Sequence, residues 1–196
     1  MALFLRLTGA GPGTRVLDVG GNPAIWRSIA PESRPDVTYV NMPRAFEEGD
    51  DASRLVFADG TRLPFGDASF DIAFSNSVIE HVGDREKQRK FAEEIRRVGR
   101  AYWVQTPNRW FPVEQHLLTP VVHWLPKSLQ RALVPRANVW KFVAKPTPGQ
   151  ERFYYEHFLN DIRLLSAGEL RRLFPGARIV RERFGGVTKS LVAWSQ

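Results

Sequence analysis

The stretch Arg15-Val-Leu-Asp18-Val-Gly20-Gly21-Asn22-Pro-Ala24 decides the fold of this chain. Its first five residues form a short apolar run that predicts a buried strand, and the paired glycines predict a tight turn. Pro23 favours the first turn of a short helix over residues 23–30. A glycine turn between a strand and a helix lets a ligand approach bare backbone near the helix N-terminus. The same turn could also join the two elements without any ligand.

Strands and helices alternate outward from this turn. We predict further strands over residues 37–40, 55–58, 70–75 and 101–105, and a helix over 85–98 between Asp84 and Gly99. A capping box, Ser166-Ala-Gly-Glu169, begins a later helix, and residues 177–183 and 189–194 form a closing hairpin. This alternation implies right-handed crossovers. The sequence therefore predicts an α/β fold with a seven-stranded, mostly parallel sheet.

Residues 107–158 differ in composition from the rest of the chain. They contain 7 of the 14 prolines and 9 of the 23 aromatic residues, and prolines at this density exclude one long helix. We predict an inserted cap after strand five, with short helices around residues 119–124 and 127–134. The whole chain, 1–196, is expected to form one domain.

Composition narrows the class of protein. The chain has 196 residues, no cysteine and a formal charge of +7. The lack of cysteine excludes disulfides, thiolate nucleophiles and cysteine-bound metals. The sequence has neither an apolar run of about 18 residues nor a signal-peptide pattern, so we expect a cytoplasmic protein. The positive charge favours an acidic partner: nucleic acid, an anionic membrane face or a phosphorylated substrate.

Polar residues follow the second and third predicted strands. Asn41 stands where nucleoside sites place an acidic residue on the ribose hydroxyls, and an amide can still donate and accept there. Asp59, before Gly60, could accept a hydrogen bond from an amino group such as that of adenine. The alternatives are that Asn41 only ends a strand and that Asp59-Gly60 is an ordinary turn.

The order of these segments, with Ser75-Asn76-Ser77-Val78-Ile79-Glu80-His81-Val82 after strand four, resembles the class I S-adenosylmethionine-dependent methyltransferases. The chain is most similar to the methyltransferase type 11 family, which includes the ubiquinone- and menaquinone-pathway enzymes. The resemblance covers residues 14–106 well and 160–194 loosely. It implies a Rossmann-like sheet and S-adenosyl-L-methionine as cofactor, with S-adenosyl-L-homocysteine as product. Asn22 and Ala24 depart from expected glycines, and Asn41 from the usual acid.

The resemblance also implies a role for each cofactor residue. In this family the first glycine turn holds the methionyl end, strand two the ribose, and the acid after strand three the adenine. The carry-over gives Asp18, Gly20 and Gly21 at the methionyl end, Asn41 at the ribose, Asp59 at the adenine, and Ser75 and Asn76 beside the sulfonium. Their neighbours Asn22 and Gly60 are also expected to bind the cofactor.

Two histidines are candidate catalytic residues. Methyl transfer to oxygen or nitrogen needs an aligned nucleophile and help in removing a proton. His81 follows strand four, and His116 follows strand five with Glu114 two residues before it. His81 could instead be a wall of the cofactor site, and Glu114 and His116 could belong to a surface loop. Nothing in the spacing demands a metal, and we expect none.

The function that these patterns favour is transfer of a methyl group to a small-molecule acceptor, apolar or phosphorylated, at oxygen. The aromatic and basic cap would suit such an acceptor, and residues 121–134 would also suit peripheral contact with a membrane. An RNA methyltransferase and a non-catalytic cofactor-binding or membrane-associated protein are the alternatives. A homo-oligomer or the cap could close the cofactor site.

Overall fold

The computed structural model describes residues 1–42, 54–136 and 140–196. The strands of these residues are β1 (Arg15–Val19), β2 (Asp36–Asn41), β3 (Leu55–Phe57), β4 (Phe70–Asn76), β5 (Gly99–Pro107), β6 (Val113–Glu114), β7 (Thr119–Pro120), β8 (Arg178–Phe184) and β9 (Val187–Trp194). The helices are α1 (Ala2–Thr8), α2 (Pro23–Trp26), α3 (Arg85–Val98), α4 (Lys127–Leu133), α5 (Trp140–Ala144), α6 (Pro148–Asn160) and α7 (Ala167–Leu173). No helix in this part of the chain has the length and apolarity needed to cross a bilayer.

One sheet of seven strands organises the described residues, in the order β3-β2-β1-β4-β5-β9-β8. Neighbouring strands run parallel from β3 to β5, whereas β9 runs antiparallel to both β5 and β8. The predicted mostly parallel sheet and its closing hairpin are therefore confirmed. The strand order reverses between β1 and β4, and open sheets of this kind bind ligands outside the carboxyl ends of the strands at such a point.

Apolar side chains cover both faces of the sheet. Phe91 and Ile95 project from α3 onto one face, and Phe4 and Trp26 pack against the other. Asp84 begins α3 as predicted, because its side chain accepts a hydrogen bond from the backbone N–H of Lys87 at 2.9 Å. The sheet is thus buried on both sides, and its loops carry the polar residues.

The helix after the glycine turn is shorter than the predicted 23–30. It ends at Trp26, and the chain continues to a single 3-10 turn at Pro31–Ser33. Ala30 lies at φ −55° and ψ 136°. A residue before proline is driven out of the helical region by the pyrrolidine ring, so Pro31 prevents the helix from extending to Ala30.

The segment predicted as a cap leaves the sheet after β5 and has its own small core. That core consists of Leu117, Val122, Val134, Tyr155, Phe158 and Ile162. The helix expected near 127–134 is α4, but the one expected over 119–124 is absent: β7 and a 3-10 turn at Val122–Trp124 occupy it. Thr119 pairs with Glu114, and Val121 has a φ of +51°, which interrupts any helix. Residues 137–139 of the cap lie outside the described residues.

The cap begins and ends at one point on the sheet. The backbone N–H of Asn108 donates to the carbonyl of Lys189 on β9, and its side-chain amide donates to the carbonyl of Thr188, both at 2.9 Å. Asn108 also forms a parallel bridge with Leu165. The entry and exit of the cap therefore lie side by side next to β9.

Candidate active site

Two cavities lie at the carboxyl ends of β1, β2, β3 and β4. The larger has a volume of ≈ 490 Å³ and the smaller ≈ 170 Å³, and Gly20 lines both. The predicted cofactor residues that line one or the other are Asp18, Gly20, Gly21, Asn22, Asn41, Asp59, Gly60 and Asn76. The structure thus brings eight of the nine predicted cofactor positions to one continuous edge.

The glycine turn presents bare backbone to these cavities. Gly20 has a φ of +84°, and a Cβ atom there would lie 2.5 Å from the methyl groups of Val78. A Cβ atom on Gly21 would lie 1.9 Å from Oδ2 of Asp18. Side chains are therefore excluded at both positions, and the backbone is free to approach a ligand closely. This cradle fits the methionyl end of the expected cofactor.

Asn41 holds the glycine turn in place. Its Nδ2 donates to the carbonyl oxygens of Gly20 at 2.8 Å and Gly21 at 3.0 Å, and its Oδ1 accepts from the N–H of Met42 at 2.8 Å. A carboxylate could not donate to these carbonyls, which explains why an amide replaces the usual acid here. Contact between Asn41 and a ribose stays a prediction.

Asp18 is a buried acid with one unsatisfied oxygen. Its side chain is 1% exposed, and Oδ2 accepts from Nε1 of Trp26 at 2.7 Å. Oδ1 has no hydrogen-bond partner among the described residues. Burial raises the pKa of Asp18 to about 7, and the bond from Trp26 offsets only part of that effect. Since buried polar atoms normally have partners, the unpaired oxygen fits the ammonium group of a methionyl ligand.

Asp59 and Asn22 are fixed by bonds to their own loops. Asp59 accepts at Oδ1 from the backbone N–H of Thr61 at 2.8 Å and from its hydroxyl at 2.9 Å. Both bonds use the same oxygen, so Oδ2 remains able to accept from an amine. Asn22 begins α2 by accepting from the N–H of Ala24 at 3.0 Å. This capping role explains an asparagine where the family pattern has glycine.

Ser75 and Asn76 end β4 on opposite sides of the sheet. Asn76 is exposed and lines the smaller cavity. Ser75 is fully buried, lines neither cavity, and has an unpartnered Oγ. Successive side chains of a strand point to opposite faces, so only one of the two can face the cavities. The structure brings Asn76 there and leaves Ser75 in the sheet.

The three predicted catalytic residues meet beside the larger cavity. His81 lines that cavity, and its Nε2 lies 3.2 Å from Nε2 of His116. Nδ1 of His116 lies 2.5 Å from Oε1 of Glu114. Glu114 is fully buried, and its Oε2 accepts from the N–H of Leu117 at 2.7 Å. The turn between β6 and β7 therefore places the imidazole of His116, oriented by Glu114, against His81 in the loop after β4.

Three further residues complete this cluster, and sequence reasoning missed them. Nδ1 of His81 lies 3.2 Å from Nε2 of His157, and the two ring planes are parallel to within 4°. Nδ1 of His157 lies 2.9 Å from Oδ2 of Asp161. Glu80 is fully buried; its Oε2 accepts from the hydroxyl of Thr106 at 2.9 Å, and its Oε1 has no partner among the described residues. The available signal was the four-residue spacing between His157, in the last turn of α6, and Asp161, which caps the end of that helix.

Burial and neighbouring charges separate the pKa values of the histidines. Burial lowers the pKa of His81 to about 4, and the charges of His116 and His157 act in the same direction. Burial also opposes protonation of His116, but its bond to Glu114 and the charges of Glu114 and Glu80 outweigh burial and raise its pKa. Burial raises the pKa of Glu80 to about 7. His116 is therefore the more basic member of the pair.

Residues 9–101 match the family model described as a methyltransferase domain. This stretch, slightly less than half of the chain, is therefore similar in sequence to methyltransferase domains. An uncharacterized methyltransferase from Mycobacterium sp. (strain KMS) is 42% identical over 89 residues. That match covers 42% of this chain and 34% of the relative, so the chain matches about a third of the relative's length.

Solved structures of similar shape extend the likeness to nearly the whole chain. A methyltransferase from Aquifex aeolicus, described as dependent on S-adenosylmethionine, has a TM-score of 0.52 and covers 98% of this chain and 87% of its own. A Rhodobacter sphaeroides protein, provisionally described as a zinc-dependent alcohol dehydrogenase, has a TM-score of 0.66 and covers 98% and 86%. Both are 13% identical to this chain, so they show the fold alone. The expected Rossmann-like α/β fold is confirmed.

Proposed function

We propose that this protein transfers a methyl group from S-adenosylmethionine to an oxygen atom of a small-molecule acceptor. One observation carries the proposal: His81 lines the cofactor cavity, and His116, bonded to Glu114, lies 3.2 Å from it. A hydroxyl is a weak nucleophile until its proton leaves. A pair of imidazoles at the cavity wall therefore favours an oxygen acceptor.

The cofactor would be held along the sheet edge. The backbone of Gly20 and Gly21 would contact its methionyl end, and Oδ1 of Asp18 would accept from its ammonium group. Asn41 would lie at the ribose, and Oδ2 of Asp59 would accept from the adenine amine. When bound, S-adenosylmethionine supplies a methyl group on a positively charged sulfur, which an electron-rich atom can displace.

The acceptor would lie between this edge and the cap. His81 and His116 would bind its hydroxyl and receive the proton, and Glu114 would hold His116 in the required orientation. Positioning of this kind converts an encounter in solution into a reaction between held groups, which lowers the barrier substantially.

The cap supports an acceptor with both an anionic and an apolar part. A cavity of ≈ 360 Å³ at its base is lined by Arg85, Arg109, Lys127 and Arg163 and by Trp124. No acidic residue in the described part of the chain lines it. A phosphate group would complement this set of cations. Exposed apolar residues near it support contact with an anionic membrane surface, namely Trp110, Val121, Trp124, Leu129 and Leu133.

Binding of the product, S-adenosylhomocysteine, is the first test of the proposal. At about 100 times its dissociation constant, the ligand should stabilise the protein by about 2.7 kcal/mol and raise Tm by roughly 5–11 °C. NADH in parallel should give no shift. Absence of a shift with the adenosyl ligand would overturn the assignment of this cavity to the cofactor.

Turnover is the second test. Labelled S-adenosylmethionine should transfer its methyl group to members of a panel of phenols and phosphorylated alcohols. The His81→Ala and His116→Ala variants should lose this transfer while still binding S-adenosylhomocysteine. Full turnover in both variants would contradict the role proposed for the histidine pair, and steeply salt-dependent binding of RNA would favour a nucleic-acid acceptor.

A further inference from the structure

Three electron-pair donors converge beside the cofactor cavity. Nε2 of His81 lies 3.2 Å from Nε2 of His116 and 4.0 Å from Oε1 of Glu80. One donor atom from each of these three side chains lies within 4.8 Å of the other two. Glu80 is 0% exposed, and its Oε1 has no hydrogen-bond partner among the described residues. The cluster therefore contains a buried carboxylate oxygen that still lacks a partner.

The hydrogen positions follow from the outer ends of the histidine row. A carboxylate only accepts hydrogen bonds, so Nδ1 of His116 carries a hydrogen toward Glu114, and Nδ1 of His157 carries one toward Asp161. Nε2 of a neutral His157 is then an acceptor, and it requires a hydrogen on Nδ1 of His81. Each neutral ring has now used its one hydrogen.

This assignment leaves the Nε2 atoms of His81 and His116 without hydrogens although they face each other at 3.2 Å. Two bare lone pairs at this distance repel each other unless a positive charge lies between them. A proton could bridge the two nitrogens, but it would leave Oε1 of Glu80 unpaired. A metal cation would satisfy all three donors at once.

We propose that Glu80, His81 and His116 bind a divalent metal ion of the zinc class. Two imidazole nitrogens and one carboxylate oxygen form a ligand set that Zn²⁺ takes in catalytic sites, with further positions left open. Tetrahedral bonds of about 2.0–2.1 Å place two ligand nitrogens about 3.3 Å apart, close to the observed 3.2 Å. Bringing Oε1 of Glu80 to the same spacing from His81 requires a displacement of about 0.7 Å.

The surroundings of the cluster also fit a metal site. Glu114 bonds the second nitrogen of His116, and His157 bonds that of His81. Metal-binding histidines are usually oriented in this way by a carboxylate or another acceptor on their free nitrogen. The spacing along the chain carries no local signal for this metal site, because His157 reaches His81 only when the cap folds over β4.

The consequence for catalysis rests on the proposed function. His81 lines the cofactor cavity, so an open coordination position on the ion would be accessible to an acceptor hydroxyl. A bound divalent ion lowers the pKa of such a hydroxyl and orients its oxygen. The histidine pair would then act through the ion instead of receiving the proton itself, and the proton of the hydroxyl would pass to solvent water. Metal binding itself can be measured without any acceptor.

The experiment is titration calorimetry of the full chain with Zn²⁺, after treatment with a chelator and removal of the chelator. We expect one ion per chain, and a reduction in affinity of at least about 100-fold in both Glu80→Gln and His116→Gln. His157→Gln, which changes only an orienting residue, should reduce affinity by about 10–100-fold. The matched control is His123→Gln, because that ring bonds the carbonyl of Arg109 and lies outside the cluster.

Cobalt gives a second readout that does not depend on the folding of any variant. Co²⁺ added to the wild-type protein should give visible absorption bands of a site with nitrogen and oxygen ligands, and Zn²⁺ should displace it. Equal Zn²⁺ affinity in wild type, Glu80→Gln and His116→Gln would overturn the proposal, as would the absence of both heat and cobalt bands in the wild type. In those cases a bridging proton occupies the pair. S-adenosylhomocysteine binding and turnover by metal-free protein would still support the proposed function, so the two failures are distinguishable.

Discussion

The cofactor edge of the sheet and the cap are built in opposite ways. At the edge, hydrogen bonds join side chains of the strands to the adjoining turn and helix, as with Asn41 to the glycine turn and Trp26 of α2 to Asp18. The cap has a core of six buried side chains and leaves large apolar groups in solvent, with Phe142 74% and Phe153 67% exposed. The side chains at the edge are therefore held by hydrogen bonds, whereas the cap is held by a small apolar core.

This difference assigns separate tasks to the two regions. Under the proposed function, the edge would provide fixed groups for a cofactor of constant shape, and the cap would provide the surfaces that an acceptor meets. They join where His81, after β4, contacts His116 and His157 of the cap. Changes at the edge should therefore affect cofactor affinity, and changes in the cap should affect turnover.

The largest expected effect is on turnover. His116→Gln should reduce methyl transfer by about 10²–10⁴-fold, because it removes the imidazole that we propose serves the acceptor. The dissociation constant of S-adenosylhomocysteine should change by less than about twofold. Gln115→Ala is the matched control, since that side chain bonds Lys189 on β9 and should leave turnover unchanged. Equal losses of turnover and cofactor affinity in His116→Gln would contradict the division of tasks.

The next effect is on cofactor affinity. Gly20→Ala should weaken S-adenosylhomocysteine binding about 100-fold, because its Cβ atom would collide with Val78 at 2.5 Å and would force the turn to move. Gly176→Ala is the control: Gly176 has a similar φ of +80° but nothing within 4 Å of a Cβ atom. It should cost about 1 kcal/mol of stability and no affinity. If calorimetry showed the same affinity for S-adenosylhomocysteine in Gly20→Ala as in the wild type, the proposal that this edge binds the cofactor would be wrong.

A third effect is the pH dependence of stability. Asp18 has a pKa of about 7 in the folded protein against 3.8 as its ordinary value, so the folded state binds more protons between these pH values. Stability should therefore fall as pH rises through this window and level off above about pH 7. The loss attributable to Asp18 is on the order of 2–3 kcal/mol between pH 5 and 7.

Urea unfolding of the wild type and Asp18→Asn at several pH values isolates this contribution, because the other titrating groups are common to both proteins. The difference between the two unfolding free energies should shift with pH in the stated direction. A constant difference would show that Asp18 has an ordinary pKa in the folded protein.

The smallest effect concerns the amide that holds the glycine turn. Asn41→Asp should destabilise the protein by about 2 kcal/mol, since it removes two hydrogen bonds to carbonyls and places a charge near them. In Asn160→Asp the side chain keeps its role as acceptor for Arg131, so that control should change stability by less than about 0.5 kcal/mol. Urea unfolding measures both, and equal midpoints would show that the amide donors of Asn41 contribute nothing.

The sheet could be predicted from the sequence because its signals are local. An apolar run followed by glycines marks β1. Asp84 marks the start of α3, and it lies within a few residues of the apolar positions that define that helix. The prediction failed where one residue overrides a pattern. Pro31 shortens α2, and Val121 in the left-handed region prevents a helix near β7.

The histidine cluster could be predicted only in part. His81, His116 and Glu114 follow strand ends, and the carboxyl ends of parallel strands share one edge of the sheet. His157 lies 76 positions after His81, and its approach depends on the packing of α6 within the cap. No local pattern records that packing. The prediction that Ser75 lines the cofactor site failed for a simpler reason. The predicted strand determined its position along the chain, but not the face of the sheet that its side chain would occupy.

The bridge between Asn108 and Leu165 has a consequence for how such a protein can change over time. Because the cap leaves and rejoins the sheet at adjacent backbone positions, its two ends are one strand spacing apart whatever the length of the cap. Segments with closely spaced ends can be exchanged or lengthened without shifting the strands that carry them. Selection for a new acceptor can thus change the cap while the proposed cofactor edge stays intact. If the proposed function holds, a foreign segment grafted between these two residues should leave cofactor binding unchanged.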